Sequence, residues 1–228
     1  MATSTGPKKP PKTPVAPSSG SGNRWFLLTI LAVVILGAVV VAVAASGRED
    51  DLAGEIGTVE VEGDPIPFSS GDPGIADPTT DAATGLVAPT LTGTSFDDSE
   101  VTIGADGRAK AVYFLAHWCS HCREEVPTVQ ALIDAGRVPE GLDIYAVATS
   151  TVAGRANFPP SQWLEEEGFT PVTMRDTEDG DALLAYGGSS FPYVVYLDSD
   201  NQLVGRSRGS LSDDQIVTLW NAAASAGT

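Results

Sequence analysis

The sequence predicts an α/β fold, a mixed central sheet flanked by helices, preceded by one N-terminal transmembrane helix. Three observations carry this. Lys110 to Ala116 is a continuous apolar run, the mark of a strand covered on both faces, and Leu142 to Ala148 reads as a second buried strand. Helix-patterned stretches alternate with such runs, the order that builds parallel βαβ units. Finally, Trp25 to Ala45 is an uncharged apolar stretch of 21 residues, long enough to cross roughly 30 Å of hydrocarbon as a helix.

Residues 1–24 are rich in Pro, Ser, Thr, Gly and Lys and bury nothing, so a disordered cytoplasmic tail is expected. Basic residues precede the run 25–45, and Glu49, Asp50 and Asp51 follow it. The positive-inside bias therefore sets the N-terminus in the cytoplasm and the remainder outside the cell membrane. Ala42-Val43-Ala44 resembles a signal cleavage site, but the apolar core of a signal peptide spans only about 7–15 residues, so a retained anchor is preferred. Residues 46–87 are acidic and rich in Gly and Pro and read as a tether. Within them Thr58 to Glu62 alternates apolar and polar and offers an edge strand.

The expected globular domain is 88–228. Pro89 to Leu91 and Val101 to Ile103 are short strand-like pieces. Lys110 to Ala116 leads into a helix over Ser120 to Ala135, with Val126, Val129, Leu132 and Ile133 on one stripe, Pro127 as an expected kink and Gly136 as its end. Leu142 to Ala148 is the second buried strand. A helix follows over Ser161 to Glu167 with Ser161 as N-cap, then a strand over Val172 to Met174 and a short helix over Asp181 to Tyr186. Tyr193 to Leu197 and Gln202 to Arg206 pair across the turn Asp198 to Asn201, and Ser212 caps a closing helix.

Both cysteines and both histidines of the chain lie in His117-Trp118-Cys119-Ser120-His121-Cys122. Two cysteines separated by two residues at a helix start bring their Cα atoms within bridging distance. The first, Cys119, sits exposed at the positive end of the helix, which favours the nucleophilic thiolate. Cys119 is accordingly the expected nucleophile. Cys122 is the resolving thiol, more buried and harder to ionise. Glu125, three residues on, shares its helix face. His121 between the cysteines can donate to the Cys119 thiolate or stabilise it by charge, and either makes the disulfide more oxidising. His117 reads as a surface residue flanking the site. A CxxC that ends a strand and opens a helix in a βαβ pattern reads as thioredoxin-like.

Lys110 to Pro127, with its run Trp-Cys-Ser-His-Cys-Arg-Glu-Glu-Val-Pro, resembles the active-site segment of the TlpA/ResA branch of the thioredoxin superfamily, whose members are membrane-tethered and extracytoplasmic. The likeness follows the order of elements over roughly 88–225. It implies a place for Trp118 beside the nucleophile. It implies that Phe191-Pro192 is the family's cis-proline, leaving the preceding backbone to pair with an extended thiol substrate. It supports Glu125 as the acid that takes or gives the Cys122 proton. It also implies a membrane thiol protein as electron donor, with apocytochrome c among the conceivable clients. The sequence departs from the branch at Ser120, where proline is common, and at His121, a residue found there in DsbA-type oxidases.

The first 45 residues carry Lys8, Lys9, Lys12 and Arg24 and no acid. The rest holds all 30 acids against nine bases, a formal charge of −21, which argues against nucleic acid as a partner. The expected activity is thiol–disulfide exchange with cysteine-containing exported proteins, without a cofactor and in the reductase direction. The oxidase direction is the first alternative. A Cu(I) chaperone using His117, Cys119, His121 and Cys122 is the second.

Overall fold

The computed structural model describes residues 27–36, 52–69 and 71–227. Of the apolar run, residues 27–36 are helical with their side chains exposed, Leu27, Leu31 and Val34 among them; the rest of Trp25 to Ala45 lies outside the described residues, as does the tail 1–24. Among the described residues no helix is long and apolar enough to cross a membrane.

In the unit from Arg48 onward the strands are β1 (Glu60–Glu62), β2 (Gly74–Ile75), β3 (Thr90–Thr94), β4 (Glu100–Ile103), β5 (Ala109–Leu115), β6 (Leu142–Ala148), β7 (Val172–Arg175), β8 (Tyr193–Leu197) and β9 (Leu203–Arg208). The helices are α1 (Ser120–Asp134), α2 (Pro160–Glu166), α3 (Asp181–Ala185) and α4 (Asp213–Ser225). Six strands form one sheet in the order β2-β9-β8-β5-β6-β7. β5, β6 and β7 run parallel, whereas β8, β9 and β2 are antiparallel to their neighbours.

β5 is central, and every one of its residues is buried. Its side chains alternate between two cores. Val112 and Phe114 face one, with Leu91, Ile103, Met174 and Leu183. Ala111, Tyr113 and Leu115 face the other, with Val126 and Val129 of α1, Trp163 of α2 and Trp220 of α4. Helices lie on both faces as expected, but the first face carries only the short α3, beside a three-stranded antiparallel sheet, β1-β3-β4. Lys110 is the one charge on β5; its whole side chain is buried, and its Nζ donates to Asp106 at 2.5 Å and to the Arg108 carbonyl at 2.8 Å.

Most helix ends follow from their residues. α1 runs through Pro127 and stops at Gly136, whose φ of +66° suits a residue without a Cβ. Ser212 caps α4 in a reciprocal box with Gln215. Ser161 is not the N-cap of α2. Pro159 takes that place and Pro160 the first turn, so the first free N–H belongs to Ser161. Both that N–H and the Ser161 hydroxyl donate to the Glu55 carboxylate, at 3.0 and 2.6 Å.

Glu55 belongs to the stretch expected as tether, and that expectation needs correction. Residues 52–87 are stitched onto the domain. β1 pairs with β3, and β2 with the edge strand β9. Ile66 and Ala83 are core residues. Residues 66–69 lie flat on Gly187, where an added Cβ would sit 2.4 Å from the Pro67 oxygen. Asp81 and Arg206 form a bidentate pair at 2.7 and 2.6 Å, with both side chains almost wholly enclosed, and Arg206 also donates to the Pro67 carbonyl. Scattered apolar residues and two acids, Glu55 and Asp81, too sparse to register as a pattern, suffice for this. Removing one partner of such a pair strands a buried charge. Asp81→Ala is therefore expected to lower the unfolding free energy by roughly 3–5 kcal/mol, measurable by urea titration of the full chain.

Candidate active site

β5 ends at Leu115, and the next four residues carry the chain across the sheet end into α1. Cys119 is the N-cap of α1, in extended conformation, with no side-chain cap of its own. It is half-buried, and Cys122 one turn further in is fully buried; both are free thiols. Burial pushes the Cys122 thiol well above the ordinary range, and the neighbouring Cys119 and Glu125 add to this against a lowering hydrogen bond with Ala116.

The Sγ of Cys119 lies 3.5 Å from the carbonyl oxygen of Phe191. The peptide bond Phe191-Pro192 is cis. Pro192 is buried at the head of β8, its own carbonyl bound by the Gly209 N–H at 2.9 Å. The chain thus brings two residues 72 positions apart to the same sulfur. Beside them opens a groove of about 730 Å³ lined by Phe191, Ser190, His121, Glu124 and Arg208, with Gly71, Pro73 and Gly74 as its far wall.

Glu125 is 1% exposed. One carboxylate oxygen accepts from the Leu211 N–H at 3.3 Å; the other is enclosed without a partner. Loss of water dominates, so its pKa rises to about 7 despite that hydrogen bond. Tyr113 and Tyr196, which sequence patterning marks only as strand residues, enclose the carboxylate; burial raises both phenols, and the Glu125 charge raises them further. A buried acid that titrates near neutrality on the face of a buried thiol can carry that thiol's proton.

One of the two histidines departs from expectation. His117 was expected at the surface and is 1% exposed. Val152 N–H donates to its Nε2 at 3.2 Å, which leaves the proton on Nδ1 to bond the Ala156 carbonyl at 2.7 Å. Burial lowers its pKa and holds the ring neutral. The reason is local: the 150–158 loop, which includes a second cis bond at Phe158-Pro159, folds over the strand end and needs a two-sided polar partner. His121 is exposed, its Nδ1 3.5 Å from the Ser210 hydroxyl and 3.6 Å from Glu124. Trp118 is half-buried and donates its Nε1–H to the Ser150 carbonyl at 2.8 Å, with the Phe191 ring edge-on at 5.8 Å. Cys119, Cys122, Glu125, Trp118 and Pro192 therefore share one site, His121 stands at its rim, and His117 turns away from the sulfurs. Among the described residues no three His, Cys, Asp or Glu side chains converge as metal ligands.

No family model matches the chain. Over 112 residues it is 29% identical to a curated relative, the thiol:disulfide interchange protein HelX of Rhodobacter capsulatus; the match covers 49% of this chain and 58% of that protein. Among solved structures, a DsbF homologue from Corynebacterium diphtheriae superposes with a TM-score of 0.56 at 13% identity, covering 69% of this chain and 99% of the other. A chain assigned as thiol:disulfide interchange protein DsbE from Chlorobium tepidum gives 0.52 at 19% identity, covering 61% and 96%. The six-stranded unit is a thioredoxin-like fold.

Proposed function

We propose that this TlpA-like protein of the thioredoxin superfamily is a thiol–disulfide oxidoreductase that reduces disulfides of exported proteins through Cys119 and Cys122. The observation that carries the reading is the division of the two thiols. One is half-exposed at a helix start against the carbonyl before a cis-proline, and the other is buried beside a carboxyl of pKa about 7.

The Cys119 thiolate attacks a client disulfide, forming a mixed disulfide and expelling the client's other sulfur as a thiolate, which takes a proton from water. Glu125, as carboxylate, takes the Cys122 proton. The Cys122 thiolate attacks the Cys119 sulfur, the Cys119–client bond breaks, and the second client sulfur leaves. Two electrons have passed to the client, and the Cys119–Cys122 disulfide awaits a donor dithiol. The Phe191 backbone, freed by the imide nitrogen of Pro192, is where an extended client segment would pair. His121 contacts Ser210 and Glu124 at the rim of the site. The exposed apolar helix at 27–36 and the basic residues before it support a membrane anchor with the redox unit on the extracytoplasmic side and a membrane thiol protein as donor.

Equilibration of the full chain against glutathione tests the direction. A potential near or below roughly −270 mV is expected, the thioredoxin value, whereas one near roughly −120 mV would make the protein an oxidant and overturn the proposal.

A further inference from the structure

The loop 150–158 is fastened to the two residues that precede Cys119. The His117 ring bridges Val152 and Ala156, the Asn157 amide donates to the His117 carbonyl at 2.8 Å, and Trp118 donates to Ser150. Ser150 and Asn157 hold left-handed conformations, φ of 51° and 57°, so the loop turns sharply at both ends. Its tip carries Arg155, exposed, with the guanidinium 3.9 Å from the centroid of the Trp118 ring.

The charge setting makes that placement informative. Arg108, Lys110, Arg175 and Arg206 each pair with an aspartate. Among the described residues Arg155 forms no ion pair; it is held by an aromatic face, which fixes the guanidinium without cancelling its charge and leaves its N–H edge open to a carboxylate. Arg155 thereby adds a fixed positive charge beside Trp118 in a region of formal charge −21. The other rim is mixed in sign: Glu124 stands there next to His121, and Arg208 lines the same groove. A client segment threading past Cys119 therefore meets a fixed positive charge on the Trp118 side, without a matching single sign opposite.

We propose that Arg155, kept in place by the His117-latched loop, is a specificity-determining residue that selects client segments carrying a carboxylate beside the cysteine that pairs with Cys119. The inference rests on the disulfide-exchange reading and adds the chemistry of the client.

The test uses the full-length chain in detergent with Cys122→Ser, so that reaction stops at the mixed disulfide. Three peptides differing only in Asp, Asn or Lys next to one cysteine are activated with a chromophoric aromatic thiol. Cys119 attacks the peptide sulfur and releases the coloured thiolate, giving a second-order rate constant. At low ionic strength the Asp peptide is expected to react roughly tenfold faster than the Lys peptide, with the ratio shrinking in salt. Arg155→Glu inverts the order, Arg155→Lys keeps it, and His117→Ala reduces it while His117→Gln, which can donate and accept, restores it. Equal rates for the three peptides, or an Arg155→Glu change that slows all three alike, would overturn the proposal. Failure of Cys119 to react with any peptide, although free thiol is titrated, would sink the exchange reading itself and the inference with it.

Discussion

Cys119→Ser is expected to abolish client reduction, by on the order of 10⁴-fold or more, the scale on which removing a covalent nucleophile acts. Cys122→Ser gives a different failure. Its first step is intact, because Cys119 keeps its place at the N-cap of α1 against the Phe191 carbonyl. Without a resolving thiol the client stays attached, so a mixed disulfide accumulates that is stable to alkylation and cleaved by dithiothreitol. Mass spectrometry of the trapped adduct checks both variants. An adduct on Cys122 in the Cys119→Ser protein would reverse the assignment, and burial of Cys122 argues against it.

The second large effect is at Glu125. With a pKa of about 7, the wild-type resolving step should quicken as pH rises through neutrality and level off above it. Glu125→Gln removes the inflection and slows that step by on the order of 10²-fold. The same substitution is expected to stabilise the fold. A carboxyl whose folded pKa lies above its unfolded value, about 7 against 4.5, holds its proton more tightly when folded. Its favourable contribution is complete below pH 4.5 and is lost as pH climbs to 7. The shift corresponds to about 3 kcal/mol. Glutamine, neutral throughout, keeps an acceptor for the Leu211 N–H and escapes that loss. Its melting temperature should exceed the wild type's by several degrees at pH 8 and match it at pH 4. A lower melting temperature at pH 8 would mean the ionised carboxylate is welcome in its pocket, and the proton-carrier role would fail with it.

The parts of the fold that could be read from the sequence are those that local physics decides alone. β8 coincides with the apolar run Tyr193 to Leu197, because a strand covered on both faces favours apolar residues throughout, and β6 is apolar except for Asp143, which lies near its start and reaches Arg108. Ser212 announces α4 because capping needs only its own neighbour Gln215. Cys119, Cys122 and Glu125 fall together on one helix, and the apolar residue before Pro192 marked the turn that meets them. What could not be read depends on partners far along the chain. His117 is buried by a loop some 35 residues away, and nothing beside it in sequence foretells that loop's open carbonyl and N–H. Ser161 has the residue type of an N-cap, but Pro159 and Pro160 displaced the helix start, and its true partner, Glu55, lies 106 residues upstream. Residues 52–87 have a linker's composition because their apolar contacts are few and each is spent on a different part of the domain.

That last feature bears on how the redox domain could be moved between proteins. A recombination joint at residue 88 would transfer both cysteines, the cis-proline and Glu125 intact. It would leave behind the Asp81 carboxylate that Arg206 pairs with, the Glu55 cap of α2, and the Gly71, Pro73 and Gly74 lining of the groove beside Phe191. The recipient would gain the reactive sulfurs without a foundation under them. A functional exchange has to carry this stretch along, Gly54 and Glu55 included, since the Gly54 carbonyl accepts from Arg175 and the Glu55 carboxylate from Ser161.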